Sequence, residues 1–429
     1  MRRGGRVAAA IEIVAEILGR SRPIAEALRD WGKNHRFAGA ADRSAIGNLV
    51  YDAVRRKQSL AHALGDDQPR AIVLAALRFT WELDVDAIAE LATEPHGPGA
   101  LSDAELLGLR LPARSNAPWV EGDYPAWLDP SLERVFGADR AEQGRALSMR
   151  APLDLRSNPI KAKPEKVLAA LSKFGAVAGP LTPTGIRIVP PPGEGRLPNV
   201  EAEPSHAKGW FEVQDQGSQA AALLCAARAG EQVADICAGA GGKTLAIAAA
   251  MDNRGQILAH DSDRIRLRPI FDRLKRAGVR NVQVIPADEG SRLDALDGRM
   301  DAVVVDAPCS GSGAWRRKPD GKWRLKPEAL GKRLGEQKAV LDRGAGLVRP
   351  GGRLVYITCS VLPEENGDQV RSFLERHRDF ELTPFADAWR NGIGPAVPKS
   401  ADGAADTLLL TPRNHGTDGF FIAILSKRK

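Results

Sequence analysis

The hydrophobic pattern of the chain changes from helical to alternating near residue 150. In the first part, Val7, Ile11 and Val14 recur every three or four residues, which is the spacing of an amphipathic helix. The same spacing recurs over three later segments: 46–54, 70–81 and 87–92. We therefore predict an all-α domain over residues 1–140, for which a plain helical domain with solvated charged faces is the simplest interpretation.

Residues 150–212 have a mixed pattern. A strand is predicted from residue 153, a helix over 164–174 and a second strand over 185–189. A stretch rich in proline and glycine surrounds the second strand and indicates loops. These elements predict a small α+β module.

From residue 213 to residue 429, predicted strands alternate with predicted helices, beginning with a helix over 217–229. The strands are predicted over 232–236, 256–260, 282–285, 302–306, 353–358, 408–410 and 420–425. This alternation predicts a fold of the α/β class, with a Rossmann-like, doubly wound sheet that ends in a hairpin. Ligands of such sheets bind beyond the carboxyl ends of the strands, so the residues that follow each strand are the first candidates for a site.

Composition is typical of a globular protein with two or three domains. The 429 residues exceed one ordinary hydrophobic core, and 43% hydrophobic with 27% charged residues argues against disorder. No apolar run approaches the roughly 18 residues of a membrane helix. Glu12 and Glu16 interrupt the first apolar run, which argues against a signal peptide. We expect a cytoplasmic monomer with no membrane association.

A glycine-rich turn, CAGAGGKT at 237–244, follows the strand predicted to end near Asp235. Its glycines allow a ligand to approach the backbone, and the helix that follows offers free N–H groups. Asp261 and Asp288 follow the next two strands, where a carboxylate can accept hydrogen bonds from ribose hydroxyls. A ribose site without a phosphate-binding loop favours S-adenosylmethionine over a dinucleotide. For the glycines alone, a turn that only packs helix on strand is the simpler alternative.

The cysteines show no pattern of a metal or disulfide site. They are Cys225, Cys237, Cys309 and Cys359. Because they are widely spaced, neither a disulfide framework nor a zinc site is predicted, and no metal is expected. Cys225 lies in an Ala/Leu-rich helix and is predicted to be a small buried hydrophobe. Cys237 is predicted to line the cofactor pocket.

Cys309 and Cys359 differ from the other cysteines because each follows a predicted strand. Two thiols at one sheet edge fit methylation of a pyrimidine at carbon 5. A thiolate adds to carbon 6, carbon 5 becomes nucleophilic, and a second group assists release. Asp306 can hold the cytosine amino group or ring nitrogen. Lys243 can orient the thiolate or the base, or it can pair with a carboxylate.

Six short motifs lie between residues 155 and 421. They are LRSN at 155–158, QDQGSQ at 214–219, DICAGAGGKT at 235–244, DAPCSG at 306–311, TCSVLPEEN at 358–366 and GTDGFF at 416–421. Together they make the chain from about residue 150 onward resemble the NOL1/NOP2/Sun family of RNA cytosine-5 methyltransferases. The two cysteine motifs in this order are highly specific to that family.

The resemblance implies roles for individual residues. Cys359 matches the family's nucleophile, and Cys309 matches the cysteine that assists product release. The implied S-adenosylmethionine contacts are Cys237, Ala238, Gly239, Ala240, Gly241, Gly242, Lys243, Asp261, Asp288 and Asp306. The family turn commonly reads CAAPGGK where this chain has Gly239 and Ala240. We therefore expect a more flexible loop that still binds the cofactor.

Residues 1–140 resemble the NusB-type helical RNA-binding domain through DR at 42–43, LVY at 49–51 and VRRK at 54–57. That domain ahead of the catalytic segment implies 16S ribosomal RNA as the substrate and an RNA-binding role for 150–212. A tRNA or DNA cytosine methyltransferase is one alternative. A non-catalytic RNA-binding factor is another, and the cysteine pair argues against it.

The net charge of +7 favours a polyanionic partner, and the basic residues concentrate in 1–70 and 315–333. We expect two groups of residues to contact RNA phosphates. The first is Arg316, Arg317, Lys318, Lys322, Arg324 and Lys326, with Trp315 and Trp323 stacking on bases. The second is Arg55, Arg56 and Lys57.

Overall fold

Residues 3–147 form ten α-helices, as the helical spacing predicts. They are α1 (Arg3–Arg20), α2 (Ile24–Asn34), α3 (Ala40–Arg55), α4 (Lys57–Leu64), α5 (Pro69–Phe79), α6 (Val85–Thr93), α7 (Asp103–Arg110), α8 (Pro118–Glu121), α9 (Asp129–Phe136) and α10 (Arg140–Leu147). The apolar face of α1, which includes Val7 and Val14, is buried in a core shared with α3 and α5. A capping box begins α7, because Ser102 Oγ accepts from the Glu105 N–H while Glu105 accepts from the Ser102 N–H.

A four-stranded antiparallel sheet follows, in agreement with the predicted α+β module. Its elements are β1 (Leu153–Ser157), α11 (Pro164–Leu171), β2 (Val177–Ala178), β3 (Gly185–Ile188), α12 (Pro204–Ala207) and β4 (Phe211–Val213). The strand order is β2-β3-β1-β4, and Leu155 pairs with Ile186 on one side and with Val213 on the other. The strands β2 and β4 were not predicted, because two or three residues are too short to show an alternating pattern.

The rest of the chain forms an eight-stranded sheet and its helices, and the computed structural model describes all residues, 1–429. The strands are β5 (Gln232–Asp235), β6 (Gln256–His260), β7 (Val282–Ile285), β8 (Met300–Asp306), β9 (Val348–Thr358), β10 (Phe380–Thr383), β11 (Leu408–Leu410) and β12 (Phe420–Lys427). The helices are α13 (Gln216–Leu223), α14 (Gly242–Ala250), α15 (Arg264–Leu267), α16 (Ile270–Ala277), α17 (Asp320–Arg324), α18 (Pro327–Leu347), α19 (Gly367–Arg376), α20 (Phe385–Gly392) and α21 (Pro412–His415).

The large sheet has the predicted Rossmann-like topology. Its order is β10-β12-β9-β8-β5-β6-β7, and β11 pairs with β12. The strands from β9 to β7 are parallel, whereas β12 runs antiparallel to its neighbours. The chain moves from β5 to β6 on one side and later to β8 on the other, so the strand order reverses at β5. The carboxyl ends beside this reversal form the edge at which ligands bind in such sheets.

The chain packs into two compact units. Unit 1 consists of Met1–Ala151, Pro190–Leu197 and Ala314–Leu325, and unit 2 consists of Pro152–Val189, Pro198–Gly313 and Lys326–Lys429. We call Pro190–Leu197 the proline loop and Ala314–Leu325 the insert. Both pack with the N-terminal helices, although they lie far along the chain. The division into domains over 1–140, 150–212 and 213–429 stays a prediction. None of the helices combines the length and the apolarity needed to cross a membrane.

The insert is largely buried within unit 1, contrary to its predicted contact with RNA. Trp315, Arg316 and Lys322 are 1%, 4% and 0% exposed. Trp323 Nε1 donates to the Val54 carbonyl at 2.7 Å. The three buried side chains are therefore unable to form the exposed stacking and phosphate contacts predicted for them, and that prediction is wrong. Trp323 is partly exposed, and its stacking on a base stays a prediction. The exposed basic residues of this region are Lys318, Arg324 and Lys326.

Lys322 is the deepest of these side chains. Its Nζ donates to the carbonyls of Arg55 and Asp123 at 2.9 and 2.6 Å, and to Ser148 Oγ at 2.7 Å. Burial lowers the pKa of Lys322 to about 7. Arg55 is itself 7% exposed, and it pairs with Asp52 at 2.6 Å. The predicted contact between Arg55 and phosphate is therefore wrong as well.

Candidate active site

Four strand ends bring the predicted site residues of unit 2 to one edge of the large sheet. Strand β5 leads into the glycine turn and β6 into Asp261, while β8 ends at Asp306 and β9 leads into Cys359. The last residues of these strands before the edge, 233–234, 257–259, 302–305 and 354–357, are buried and largely apolar, and polar side chains follow them at the edge. The sequence-based prediction of a shared edge is confirmed by this topology.

The two thiols of the site lie side by side. Cys309 Sγ and Cys359 Sγ are 3.3 Å apart, and both residues are partly exposed. The hydrogen bond from the Cys309 thiol holds the pKa of Cys359 below its usual range. The same hydrogen bond raises the pKa of Cys309 well above its usual range. When the pair loses one proton, the negative charge therefore lies on Cys359 and Cys309 keeps its proton, which makes Cys359 the better nucleophile.

Lys243 reaches the site from the first turn of α14 and pairs with Asp306. Its Nζ donates to Asp306 Oδ2 at 2.7 Å. Burial alone would lower the pKa of Lys243, but the carboxylate of Asp306 outweighs it and the pKa is raised. The positive charge of Lys243 also helps to lower the pKa of Cys359. The Asp306 side chain is 31% exposed, so its other oxygen remains accessible to a ligand.

A buried carboxylate holds the loop that carries Cys309. Glu365 is 0% exposed and accepts from the N–H and Oγ of Ser310 at 2.7 and 2.5 Å. From α18, Gln337 Nε2 donates to Glu365 and to the Pro308 carbonyl, both at 3.0 Å. Sequence reasoning gave neither residue a role. Glu365 lies inside a quoted motif and could have been singled out, whereas Gln337 carries no sequence signal.

Backbone contacts join the two cysteine loops. The Gly313 N–H donates to the Cys359 carbonyl at 2.9 Å, and the Gly419 N–H donates to the Gly313 carbonyl at 2.8 Å. A Cβ at Gly313 would lie 2.2 Å from the Gly419 carbonyl oxygen, so a side chain at this position would force the two backbones apart. The GTDGFF motif thus supports the loop of the catalytic cysteine.

A cavity of about 560 Å³ opens beside the glycine turn. Ile236, Leu293 and Pro308 provide apolar walls, and Asp261 provides a carboxylate. Asp261 is 3% exposed and accepts from the Gly239 N–H at 2.9 Å. A carboxylate has further lone pairs, so Asp261 can brace the turn and still accept from ribose hydroxyls.

The conformation of the turn suits close approach of a ligand. Gly239 and Gly241 have φ values of +50° and +80°. A Cβ at Gly241 would lie 2.5 Å from Ile270 Cγ1, so glycine is required there. The Ala240 carbonyl accepts from Arg273 at 2.9 Å. With the apolar walls and Asp261, this backbone fits the nucleoside of S-adenosylmethionine. Gly239 and Ala240 differ from the family's CAAPGGK turn, and the greater loop flexibility expected from them stays a prediction.

Of the remaining predicted residues, Cys237 lies in the wall of the cavity and Asp288 does not. Cys237 lines the cavity, and burial raises its pKa well above the usual value. Asp288 is exposed in the turn after β7 and is not part of the lining, to which His260 and Gly290 contribute instead. The contact of Asp288 with the cofactor stays a prediction. Cys225 is buried, as predicted, although it lies in a turn just after the end of α13 and not in the helix.

Comparison with known proteins adds a family and several relatives. The family model of the 16S rRNA methyltransferase RsmB/F matches residues 222–426. The ribosomal RNA small subunit methyltransferase B of Erwinia tasmaniensis is 32% identical over 401 residues, which cover 89% of this chain and 86% of the relative. The probable ribosomal RNA small subunit methyltransferase B of Synechocystis is 34% identical over 310 residues, or 71% and 67% of the two chains.

Two solved structures resemble this one in fold. The crystal structure of PH0851 has a TM-score of 0.73 and 26% sequence identity, and the match covers 99% of each chain. A methyltransferase homolog protein from Pyrococcus horikoshii has a TM-score of 0.59 and 28% identity, with 72% of this chain and 97% of that one covered.

Proposed function

The chain belongs to the 16S rRNA methyltransferase RsmB/F family, and from this premise we propose that it methylates carbon 5 of a cytosine in 16S rRNA through a covalent bond to Cys359. Family membership makes it an S-adenosylmethionine-dependent rRNA methyltransferase. The position of the methyl group and the covalent step are the proposal. The observation that carries it is the thiol pair, with 3.3 Å between the sulfurs of Cys309 and Cys359.

The first step is attack on the base. Carbon 5 of cytosine is a poor nucleophile until the 5,6 double bond is broken. The Cys359 thiolate adds to carbon 6, and the electron pair of that double bond moves to carbon 5. The lowered pKa of Cys359 favours this thiolate form. S-adenosylmethionine, when bound, supplies the electrophilic methyl group that carbon 5 takes up.

The second step is release. Carbon 5 then carries a methyl group and a proton, and loss of that proton restores the double bond and expels Cys359 as a thiolate. The hydrogen bond to Cys359 is the largest cause of the raised pKa of Cys309 in the free protein, and burial adds to it. Once Cys359 is bound to the base, the contribution of its thiolate is gone, so Cys309 loses its proton to solvent more readily and can then accept the proton from carbon 5. The resting state of the pair is then restored.

Lys243 and Asp306 serve the same reaction. The free oxygen of Asp306 can accept from the cytosine amino group and orient the ring, while Lys243 holds the carboxylate at 2.7 Å. Because the charge of Lys243 also favours the Cys359 thiolate, one ion pair supports both the base and the nucleophile.

Cys359→Ala tests the proposal. We expect S-adenosylmethionine binding, measured by calorimetry, to be retained. We expect no methyl transfer into 16S rRNA and no covalent adduct with RNA that carries 5-fluorocytidine. Bisulfite sequencing of the wild-type product locates the modified cytosine. Cys225→Ala, at a buried cysteine away from the edge of the sheet, is the control that should methylate normally. Appreciable methylation by Cys359→Ala would contradict the proposal.

A further inference from the structure

Unit 1 contains a cavity of about 410 Å³ that has no part in the reaction proposed above. Helix α3, the residues after α10, the proline loop and the insert all contribute to its lining, and all belong to unit 1. Five arginines line it: Arg55, Arg150, Arg196, Arg316 and Arg317. The only acidic residue of the lining is Asp52. We call this cavity the arginine pocket.

Hydrogen bonds fix the proline loop as one wall of the arginine pocket. Asn48 Nδ2 donates to the carbonyls of Gly193 and Gly195 at 3.3 and 2.9 Å. Arg150 donates to the carbonyls of Pro191 and Gly193 at 2.9 and 2.7 Å. Because side chains of the helical part bind the loop backbone directly, the pocket is a built feature of unit 1.

The lining of the arginine pocket is rich in positively charged side chains. Asp52 Oδ1 accepts from Arg55 at 2.6 Å, and Asp52 Oδ2 accepts from Arg150 at 2.5 Å. Trp81 Nε1 also donates to Asp52, at 2.9 Å. The lining itself holds five arginines and a single carboxylate, and among them Arg196 is exposed without an ion pair. An anion is the ligand that such a surface attracts.

Several polar groups of the lining are free to bind. Ser44 Oγ and Tyr51 Oη form no hydrogen bond within the protein, and Arg196 is exposed without an ion pair. A guanidinium matches the geometry of a phosphate with two parallel hydrogen bonds. A tyrosine ring and hydroxyl suit a base or a ribose of single-stranded RNA. The volume also falls within the roughly 300–1,000 Å³ range of small-ligand sites.

We propose that the arginine pocket binds one unpaired nucleotide of the RNA substrate, with its phosphate on Arg196 and its sugar or base against Tyr51. Arg55, Arg150 and Arg316, which are buried or already paired, contribute charge rather than direct contacts. This site deepens the proposed function and rests on it, because RNA is its ligand. It gives the RNA a fixed point in unit 1, separate from the residues that act on the target cytosine.

Binding of an all-uridine oligoribonucleotide to the full-length protein tests this site, because that probe contains no cytosine to methylate. Arg196→Ala should weaken binding roughly tenfold and reduce the slope of log Kd against log salt by about 0.7, the value of one phosphate contact on a single strand. Tyr51→Phe, which removes only a hydroxyl, should weaken it roughly two- to tenfold. Arg114→Ala is the matched control, since Arg114 is also exposed in unit 1 without an ion pair. It should leave binding unchanged, and S-adenosylmethionine affinity should be normal in all three variants.

A salt slope and affinity in Arg196→Ala equal to those of the wild type would overturn the arginine pocket as a nucleotide site. That outcome is distinct from failure of the proposed reaction. Absence of 5-methylcytidine in 16S rRNA treated with the wild-type protein would remove the reaction and leave the oligouridylate result standing. With 16S rRNA, the Michaelis constant of Arg196→Ala should rise while kcat at saturating RNA stays unchanged.

Discussion

Which of two neighbouring sulfurs holds the proton decides which residue attacks the base. At 3.3 Å the thiols of Cys309 and Cys359 share one hydrogen bond, so their ionisation is linked. The positive charge of Lys243 lowers the pKa of Cys359 and therefore favours the Cys359 thiolate. Ionisation of Cys359 and protonation of Cys309 are therefore properties of the pair.

Cys309→Ala removes the donor that lowers the pKa of Cys359, so the pKa of the nucleophile should rise. Less thiolate is then present near neutral pH. Adduct formation with 5-fluorocytidine RNA should be slower than wild type at about pH 7 and should recover as the pH is raised. With unmodified RNA, the adduct that does form should persist, because the group that accepts the carbon 5 proton is missing. Denaturing gels across this pH range measure both effects. Turnover by Cys309→Ala at the wild-type rate would show that Cys309 has only a structural role.

Asp261→Asn keeps the shape of the side chain and removes its charge. A hydrogen bond to a charged group contributes roughly 1.5–3 kcal/mol, so S-adenosylmethionine should bind about tenfold more weakly or worse. Calorimetry on the folded variant measures this. Asp288→Asn is the informative comparison, because Asp288 is exposed and outside the cavity lining. A larger loss of affinity in Asp288→Asn than in Asp261→Asn would mean that Asp288, and not Asp261, binds the ribose hydroxyls.

The sequence predicts the reactive residues well, but it does not predict the residues that hold them in position. Cys309, Cys359 and Asp261 each follow a buried strand, and that position is readable from hydrophobic runs and short motifs. Gln337 is different, because it lies in a helix whose pattern shows only which side is apolar. Its contact with Pro308 joins residues 29 positions apart in the chain, which no local pattern reveals.

Among the elements, the loop after β8 is the one whose position most affects the chemistry. Glu365 receives two hydrogen bonds from Ser310 and one from Gln337, so the loop with Cys309 is attached to the turn after β9 and to α18. Since Cys359 follows β9, this carboxylate fixes the separation of the two thiols. Glu365 is a positioning residue, because it is fully buried and acts through Ser310 and Gln337.

Glu365→Gln places an amide N–H₂ among side chains that donate to the present carboxylate. One donor is then left without an acceptor, and the free energy of unfolding should fall by about 1–3 kcal/mol. Because the thiols lose their fixed separation, kcat should fall more than the Michaelis constant for RNA rises. The pH profile of Cys359 alkylation should also move to higher pH. Glu375→Gln, on the exposed side of α19, is the matched control. An unaltered alkylation profile would show that Glu365 does not position the pair.

Element prediction recovered several strands with their bounds and missed a marginal strand at the edge of the sheet. Strands β6, β7 and β11 match their predicted bounds. Strand β10, with the sequence FELT, was missed because only Phe380 is fully buried and the other positions are polar or half-exposed. The predicted helix over 217–229 ends at Leu223. Ala226, three residues later, has a φ of +47°, which a helix does not contain.

At the scale of the whole molecule, the insert shows what local patterns leave out. Its basic residues suggested an RNA contact, and charge alone gave no sign that Lys322 is enclosed by backbone carbonyls. Burial of Lys322 depends on Arg55, Asp123 and Ser148, which precede it by 267, 199 and 174 positions. Only the packing of unit 1 determines whether such a lysine faces water or the interior.

Lys322 should therefore make the stability of unit 1 depend on pH. Its pKa falls from 10.5 to about 7 on folding, so between these values the unfolded chain binds one proton more than the folded chain. Stability should then rise with pH across this window, by about 1.4 kcal/mol for each pH unit at most. Urea unfolding at about pH 7.5 and pH 9.5, followed by tryptophan fluorescence, measures the rise. Trp315 and Trp323 lie 5.9 and 5.2 Å from Lys322 Nζ and report on its surroundings.

Lys322→Met isolates this contribution, because methionine is long and apolar but does not titrate. The increase in unfolding free energy from the lower to the higher pH should be smaller in Lys322→Met than in the wild type by up to about 2–3 kcal/mol. Comparing the two increases cancels the groups that titrate alike in both proteins. Lys318→Met, at an exposed lysine of the insert, should retain the full wild-type increase. The same increase in Lys322→Met as in the wild type would mean that Lys322 is solvated and charged, and that the insert packs differently within unit 1.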